Sequence, residues 1–481
     1  MKQRYDRVMN PLTVVVDRWD FWQKCEAFIW TAHPQEVETD AFEVHTFGPL
    51  YDTVVALGAI TTSEDEPLFG LVEHRRRESS SHGVSNATYG HTLAMKYFVR
   101  AKRRLGDIFE TCSLDGTLTL FLLSVLCQNL LQQHSCYMYA GMAVRAAIAM
   151  GIPMTASSSD ALASRLWWAL YSFEIEMSMS AGRASALAEP ACYSVVVPHT
   201  SEPRPDCFIS HMVPFAAILN DICRKIYSAD ASVGHDQKSR VCLEIDEQLQ
   251  KWKSELDTAW DGHSSSLTEP EWKTKQKLVC NLRFWNARIL LHRPFLVHLT
   301  ASPRHHVDRS HIVSCVEAAQ ATIATLYDAF TYRPFFRSWW YNSTYVLYAA
   351  MISLYLLLSG AHDLDENQLL RDGQRGLEIP EAMQSNVVAA RCAAVIREII
   401  DTTEAVMAQR RQSGPGAPVA GLQLQLDGDD GGAAAFGAWP DPFSWDVGTP
   451  SGGFDGQPAL WNMVDPALFD NLLDVELARL Q

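Results

Sequence analysis

Apolar residues recur every three or four positions through most of the chain from residue 89 onward, which is the spacing of one face of an α-helix. Gly182, Pro294 and Gly360 stand where such helices are expected to end. β-Branched runs occur at residues 13–16 and 194–197, and no alternating segments follow them. The pattern therefore predicts an all-α fold. The clearest stripes are Leu162, Leu166, Ala169, Phe173 and Met177; Ile245, Leu249, Trp252, Leu256 and Trp260; and Leu278, Leu282, Trp285 and Ile289.

Further helical segments and one irregular segment complete this outline. A turn near Gln133 and His134 is expected to divide the apolar region 117–152, and Asn342, Ser343 or Thr344 would cap the helix that ends at Ser359. Residues 35–83 are rich in charge and serine, and we expect them to be irregular. Other helices are predicted over residues 211–227, 309–330 and 380–411. The chain thus divides into a lead-in over 1–88, a large helical domain over 89–412 and a C-terminal segment over 413–481.

The C-terminal segment, residues 413–481, has a different composition from the rest. It holds ten acidic residues and one basic residue, Arg479, for a local net charge of −9, among many Gly, Pro and Ala residues. Such a segment cannot bury enough apolar surface to offset the entropy of ordering it, so it is predicted to be disordered alone.

Aromatic and leucine residues interrupt this acidic segment, a composition typical of amphipathic activation segments. We predict that the segment contacts a coactivator or the transcription machinery. A helix would begin at Asp465 and Pro466 on binding, and the leucines of this helix would pack in a groove of the partner. The alternative is an inert solubilising extension. The predicted contact residues are Trp439, Phe443, Trp445, Trp461, Leu468, Phe469, Leu472 and Leu473.

Charge and cysteine spacing exclude several classes of protein. The whole chain has a net charge of −16, so nonspecific attraction to nucleic acid is not expected. Eleven scattered cysteines without a Cys-x-x-Cys pair indicate buried thiols in a reducing compartment, with no zinc site and no disulfide framework. The longest apolar run, 345–358, is too short to span a membrane. No membrane association is therefore expected.

The sequence contains no contiguous catalytic or metal-binding motif. His305, His306 and Asp308 are the nearest approach to a metal cluster, and a solvated loop is the favoured interpretation. No nucleophile elbow, phosphate loop or dinucleotide fingerprint occurs. The chain is therefore expected not to be an enzyme and to need no cofactor.

Three separated strings carry a family resemblance. They are residues 141–153, which end in Gly151-Ile152-Pro153; residues 165–171 followed by Gly182-Arg183; and residues 291–295. In this order they resemble the regulatory middle region of fungal zinc-cluster (Zn2Cys6) transcription factors, the fungal-specific transcription factor domain, over about residues 89–360. The signature residues, to which we assign structural roles, are Arg165, Trp167, Trp168, Gly182, Arg183, Leu291, His292, Arg293, Pro294 and Phe295.

The sequence departs from the family pattern in two ways. Ala184 stands where a proline usually follows Gly-Arg, and Glu174 and Glu176 stand where an Asp-Arg pair is common. The resemblance also implies zinc and DNA binding through six clustered cysteines, but in this sequence Cys25 alone precedes Cys112. Zinc and sequence-specific DNA binding are therefore implied by the family and not supported by these residues.

Together, the resemblance and the acidic segment imply a nuclear activator of genes transcribed by RNA polymerase II. Such regulators commonly control one pathway, for example a secondary-metabolite biosynthesis cluster or a nutrient pathway. One alternative is a co-regulator that does not bind DNA and dimerises with a zinc-cluster factor. The other is a helical enzyme, which an acidic or metal-lined cavity would reveal.

Overall fold

The computed structural model describes residues 15–31, 41–61, 86–106, 112–130, 132–155, 161–180, 185–198, 207–228, 233–261, 269–296, 306–333, 341–359, 364–383 and 387–413. Within these ranges the chain forms thirteen α-helices and no strand, which confirms the all-α prediction. No helix in this part of the chain has the length and apolar character needed to cross a bilayer. The helices are α1 Arg18–Thr31, α2 Ala41–Ile60, α3 Asn86–Arg104, α4 Leu114–Asn129, α5 Gln133–Ala149, α6 Ala161–Ser180, α7 Cys207–Ile222, α8 His235–Asp261, α9 Glu271–His292, α10 His306–Tyr332, α11 Tyr341–Ser359, α12 Glu366–Glu381 and α13 Val387–Ser413.

The predicted break in the apolar region 117–152 is confirmed. Helix α4 ends at Asn129 and α5 begins at Gln133, so the turn falls immediately before the expected position. Gly151 follows α5 with φ of +74°, a left-handed conformation that side-chain-bearing residues rarely adopt. Pro153 then lies in a short 3₁₀ turn, Ile152–Met154. The glycine and the proline together stop α5.

Two sequence interpretations are wrong. Residues 41–61 lie in the segment expected to be irregular, yet they form α2, which is buried on nearly all sides from residue 47 to residue 59. The single helix expected over 380–411 is two helices, because Pro380 lies in the last turn of α12 and α13 begins at Val387. A smaller correction concerns Asn342, Ser343 and Thr344, which lie inside the first turn of α11 and therefore do not precede it as caps.

The buried apolar side chains form two cores, and α9 borders both. The first core is built mainly from α2 to α8, and the second from α10 to α13. Phe284 and Leu291 of α9 belong to the first core, Leu282 and Ile289 belong to the second, and Trp285 packs against both. A helix that is apolar on two faces has to be covered on both. Helix α9 therefore joins the two halves of the structure.

Two glycines allow a close contact between helices in the second core. A Cβ atom placed on Gly376 of α12 would lie 3.3 Å from the Cβ of Ala350 on α11, which is tighter than an ordinary contact. A Cβ on Gly373 would lie 2.9 Å from Leu354 Cδ2. These two glycines let the backbones of α11 and α12 approach each other.

A buried carboxylate joins α2 to α3. Asp52 is fully buried, and it accepts hydrogen bonds from Arg100 Nε at 2.8 Å and Arg104 Nη1 at 3.2 Å. Both arginines keep about two fifths of their side-chain surface exposed. The basic residues at the end of α3 thus contribute two cations to one interior anion.

Removal of the two cations is expected to be worse for stability than removal of the anion. The Arg100→Met/Arg104→Met variant would leave Asp52 as an uncompensated buried charge, at a cost of about 3–5 kcal/mol in the free energy of unfolding. Asp52→Asn would leave two arginines that water can solvate, so its loss should be smaller. Urea denaturation measures both, and Arg103→Met, an exposed position in the same run, is the control. Equal losses for the two variants would contradict this account.

Candidate functional site

The string at residues 165–171 lies in α6, and its tryptophans fill part of the first core. Trp167 and Trp168 are both buried, and their rings pack around Tyr193, with ring-centroid distances of 4.9 and 6.2 Å. Arg165 lies one turn before Trp168 on the same helix and is half-buried. Gly182 and Arg183 fall outside the described residues, so the structural roles assigned to them stay predictions.

The third signature string, residues 291–295, ends α9. Helix α9 stops at His292, and Arg293, Pro294 and Phe295 form a 3₁₀ turn that carries the Phe295 ring back into the first core. Proline cannot donate a backbone hydrogen bond, which explains the stop. In this way the string places a buried histidine, His292, at the end of α9.

A wide turn at the end of α7 secures the same place. Residues 223–227 form one π-helical turn. Its last residue, Tyr227, donates a hydrogen bond to the Leu290 carbonyl oxygen at 2.7 Å. Arg293 Nε donates to the Tyr227 hydroxyl at 2.9 Å. π-Turns shift the register of a helix and frequently occur at functional sites. The end of α9 is thus tied to α7 on one side.

On its other side, the end of α9 faces a buried polar cluster. Helix α8 contributes Ser239, Cys242 and Asp246, which lie on one face because they are three and four residues apart. Helix α9 contributes Arg288 and His292, and α10 contributes His311. All six side chains are buried. We call this set, Ser239, Cys242, Asp246, Arg288, His292 and His311, the interhelical polar cluster.

The two histidines meet through their Nδ1 atoms, which lie 2.8 Å apart. Cys242 Sγ is 3.5 Å from Nδ1 of His292 and 3.6 Å from Nδ1 of His311. The thiol also lies 3.5 Å from the carbonyl oxygen of Leu291. The Phe295 ring stacks on His311 with ring centroids 4.1 Å apart, which covers the pair on that side.

The outer nitrogens of both rings face oxygen atoms. His311 Nε2 is 2.8 Å from Ser239 Oγ, and His292 Nε2 is 3.4 Å from Asp246 Oδ1. The second distance exceeds that of a normal hydrogen bond, so this contact is electrostatic. Asp246 also accepts two hydrogen bonds from Arg288, at 2.8 and 3.1 Å.

These contacts fix the charges of the cluster. Burial would raise the pKa of Asp246, but the contact with His292 and the hydrogen bonds and charge of Arg288 hold it well below its usual range. The better defined of these two influences is Arg288, because its hydrogen bonds have normal lengths. Burial raises the pKa of the Cys242 thiol, and the nearby Asp246 carboxylate adds to the effect. Asp246 is therefore ionised, and its charge is matched by Arg288.

A separate cavity of about 150 Å³ lies between α4, α6, α7 and α9, with Asn342 and Tyr345 of α11 at its border. Its wall is mostly apolar, and Arg283 donates to Glu176 at 2.8 Å on its polar side. Binding pockets for small organic molecules are usually larger than about 300 Å³. None of the members of the interhelical polar cluster lines this cavity.

Glu174 and Glu176, which depart from the family pattern, both have partners in the structure. Glu174 is buried in α6 and accepts hydrogen bonds from Ser178 Oγ at 3.0 Å and Ser185 Oγ at 3.2 Å. Glu176 pairs with Arg283 of α9. Burial raises the pKa of Glu174, although the two serine hydrogen bonds oppose this. Both acidic side chains therefore have hydrogen-bonding or ionic partners outside residues 165–171.

Sequence reasoning singled out His292 but missed the other members of the cluster. Cys242 and His311 lie 50 and 19 residues from His292 and belong to different helices, so no spacing rule could have joined them. The one available signal was the polar triplet Ser239, Cys242 and Asp246 on a single face of a predicted helix. His305 and the predicted contact residues beyond Ser413 lie outside the described residues, as does the acidic segment from residue 414 onward.

Glu174→Gln is expected to raise the free energy of unfolding at pH 7. A folded pKa above the ordinary value of 4.5 means that the stability contribution of Glu174 is fully present below pH 4.5 and is lost as pH rises through the folded value. Glutamine keeps the shape and avoids the buried charge. The difference in the free energy of unfolding between Glu174→Gln and the wild type should therefore vanish at acid pH.

Urea denaturation between about pH 4 and pH 8 measures this difference. Glu398→Gln, at an exposed position of α13, is the matched control and should leave the pH profile unchanged. A Glu174→Gln variant that is no more stable than the wild type at pH 7 would contradict the assignment.

Comparisons with known proteins show a similarity to one family over part of the chain. Residues 43–254 match the model of the fungal specific transcription factor domain, so the match begins inside α2 and ends inside α8. Among similar proteins, the thiamine repressible genes regulatory protein of Schizosaccharomyces pombe is 24% identical over 42% of this chain and 27% of its own length. The acetamidase regulatory protein of Emericella nidulans is 26% identical over 40% of this chain and 23% of its own length.

The sorbicillinoid biosynthetic cluster transcription factor 2 of Penicillium rubens is 24% identical over 46% of this chain and 36% of its own length. The chain thus spans about a quarter to a third of the length of these three relatives. All three are named as regulators, and the resemblance is confirmed over the matched residues, which include the first two of the three strings. Residues 43–254, from α2 into α8, are therefore similar to the fungal specific transcription factor domain.

Proposed function

We propose that this chain is a transcriptional regulator that acts in the nucleus, with a folded regulatory domain over residues 89–412 and an acidic activation segment over residues 413–481. The observation that carries the proposal is the fungal specific transcription factor domain matched at residues 43–254. The relatives that share it are named as regulators of genes. The proposed activity is recruitment of a coactivator or the transcription machinery to genes transcribed by RNA polymerase II.

The names of the relatives also support a pathway-specific target set. One regulates thiamine repressible genes, one acetamidase and one a sorbicillinoid biosynthetic cluster. We infer that this chain likewise controls the genes of one pathway, such as a secondary-metabolite cluster. Contact with DNA would be made by a zinc-cluster module, either in the same protein or in a dimer partner.

The composition of the acidic segment supports recruitment. The last described helix, α13, ends at Ser413, and the ten acidic residues of the segment follow it. Carboxylates spaced between aromatic rings keep the rings soluble until an apolar groove is offered. Phe469, Leu472 and Leu473 are three and four residues apart, so they would share one face of a bound helix.

The proposal assigns no catalytic step to the chain. An enzyme site needs reactive side chains at an opening that a substrate can reach. Here the cavity has an apolar wall, and the cysteine and histidines of the interhelical polar cluster are buried elsewhere. The arrangement therefore favours a regulator over the helical enzyme alternative.

Fusion of residues 413–481 to a heterologous DNA-binding domain is expected to activate a reporter gene. Replacement of Phe469, Leu472 and Leu473 by alanine should remove most of this activity, because it deletes the apolar face that would enter the groove. Reporter expression, normalised to the amount of fusion protein, is the measurement.

The matched control replaces Leu422, Leu424 and Leu426 by alanine, which removes three leucines of the same segment outside the proposed face. This control should keep most of the activity. Absence of reporter expression from the intact fusion would contradict recruitment by the segment, and equal losses in the two variants would contradict the assigned face.

A further inference from the structure

We propose that Cys242, His292 and His311 form a binding site for one thiophilic transition-metal ion, held by Cys242 Sγ and the Nδ1 atoms of both histidines. The site is distinct from the six-cysteine zinc cluster that the family resemblance implies, because it lies between α8, α9 and α10. It also goes beyond the proposed regulatory function, and its test does not depend on reporter activity.

The first argument is the distance between the three ligand atoms. Bond lengths of about 2.0 Å to nitrogen and 2.3 Å to sulfur, at tetrahedral angles, place nitrogen and sulfur about 3.6 Å apart and two nitrogens about 3.3 Å apart. The observed Sγ–Nδ1 distances are 3.5 and 3.6 Å, and the Nδ1–Nδ1 distance is 2.8 Å. An ion would fit after the two rings separate by a few tenths of an ångström.

The second argument is the orientation of the rings. The Asp246 carboxylate beside His292 Nε2 favours a proton on that nitrogen, so the Nδ1 lone pair of His292 faces His311. The Ser239 hydroxyl beside His311 Nε2 either accepts a proton from that nitrogen or donates to it. When it accepts, the lone pairs of both Nδ1 atoms point at each other across 2.8 Å, which is the arrangement that a metal ion between them stabilises. Histidine ligands of metals are commonly oriented in this way by a carboxylate or another hydrogen-bonding group on the opposite nitrogen.

The third argument is the position of the thiol. A single proton shared between the Nδ1 atoms of His292 and His311 would satisfy both rings, and it would not require the Cys242 thiol beside them. Cys242 Sγ is nevertheless placed at nearly equal distances from both Nδ1 atoms, in a cluster where all three side chains are 0% exposed. Three convergent ligands from three helices are the arrangement of a metal site.

The ligand types select the class of ion. Mg²⁺ and Ca²⁺ require oxygen ligands, and the three ligand atoms here are one sulfur and two nitrogens. Thiolate and imidazole together suit Zn²⁺ and Cu⁺. The Asp246–Arg288 pair leaves no net charge of its own beside the site. Binding of the ion would displace the proton of the Cys242 thiol to solvent, and the resulting thiolate would be the anion that offsets the metal.

The test uses the full chain without a histidine tag, under reducing conditions, with the two exposed cysteines Cys112 and Cys192 changed to serine. Zn²⁺ and Cu⁺ are titrated separately against a chromophoric chelator, and Mg²⁺ is the negative control. One equivalent of Zn²⁺ or Cu⁺ is expected to bind tightly. It should also raise the unfolding temperature, because the ion binds only the folded chain.

Cys242→Ser, His292→Gln and His311→Gln should each weaken binding at least tenfold. Cys280→Ser is the matched control, since Cys280 is equally buried and lies on α9 outside the site, and it should bind as before. Co²⁺ substituted into the wild type should show a thiolate charge-transfer band that the Cys280→Ser variant keeps.

If the site variants fail to fold, X-ray absorption of the loaded wild type decides the matter, because one sulfur and two imidazole nitrogens are expected around the ion. A different ligand set would overturn the proposal. Absence of tight binding of either ion to the wild type would also overturn it and would identify the histidines as a proton-bridged pair.

Discussion

The architecture depends on the burial of one helix, α9, from two sides. Its residues Phe284 and Leu291 are buried in the first core, and Leu282 and Ile289 are buried in the second. Neither half can cover both faces, so the hydrophobic free energy of this helix is realised only when the whole assembly is folded. The two halves are therefore expected to unfold together, as one cooperative unit.

Between these two apolar faces the same helix carries polar side chains into the interior. Arg288 and His292 lie one turn apart and meet Asp246 of α8. In a low-dielectric interior such groups stabilise the structure only with correct partners, and a shift of one residue along the helix would separate them. The interhelical polar cluster thus fixes the register of α9 against α8 and α10, which apolar packing alone would leave less specific.

The helices with one apolar stripe could be predicted from the sequence, and so could the end of α9 before Pro294. Helix α2 could not, because it is buried on nearly all sides and shows no polar face that would mark it as amphipathic. Helix α12 was missed because Gly373, Gly376 and Pro380 are residues that usually interrupt helices. In the fold the two glycines serve close packing, a reason that only the neighbouring helix supplies. For the candidate site, His292 could be found from a local string, but its partners are defined only by the three-dimensional packing.

The position of α9 also bears on how the protein is divided for biochemical work. A recombinant fragment limited to the matched residues 43–254 would end inside α8 and lack α9 altogether. The faces of α7 and α8 that pack against α9 would then be exposed to water, and such surfaces promote aggregation. The smallest soluble piece of this protein should therefore include the second core and extend to the end of α13.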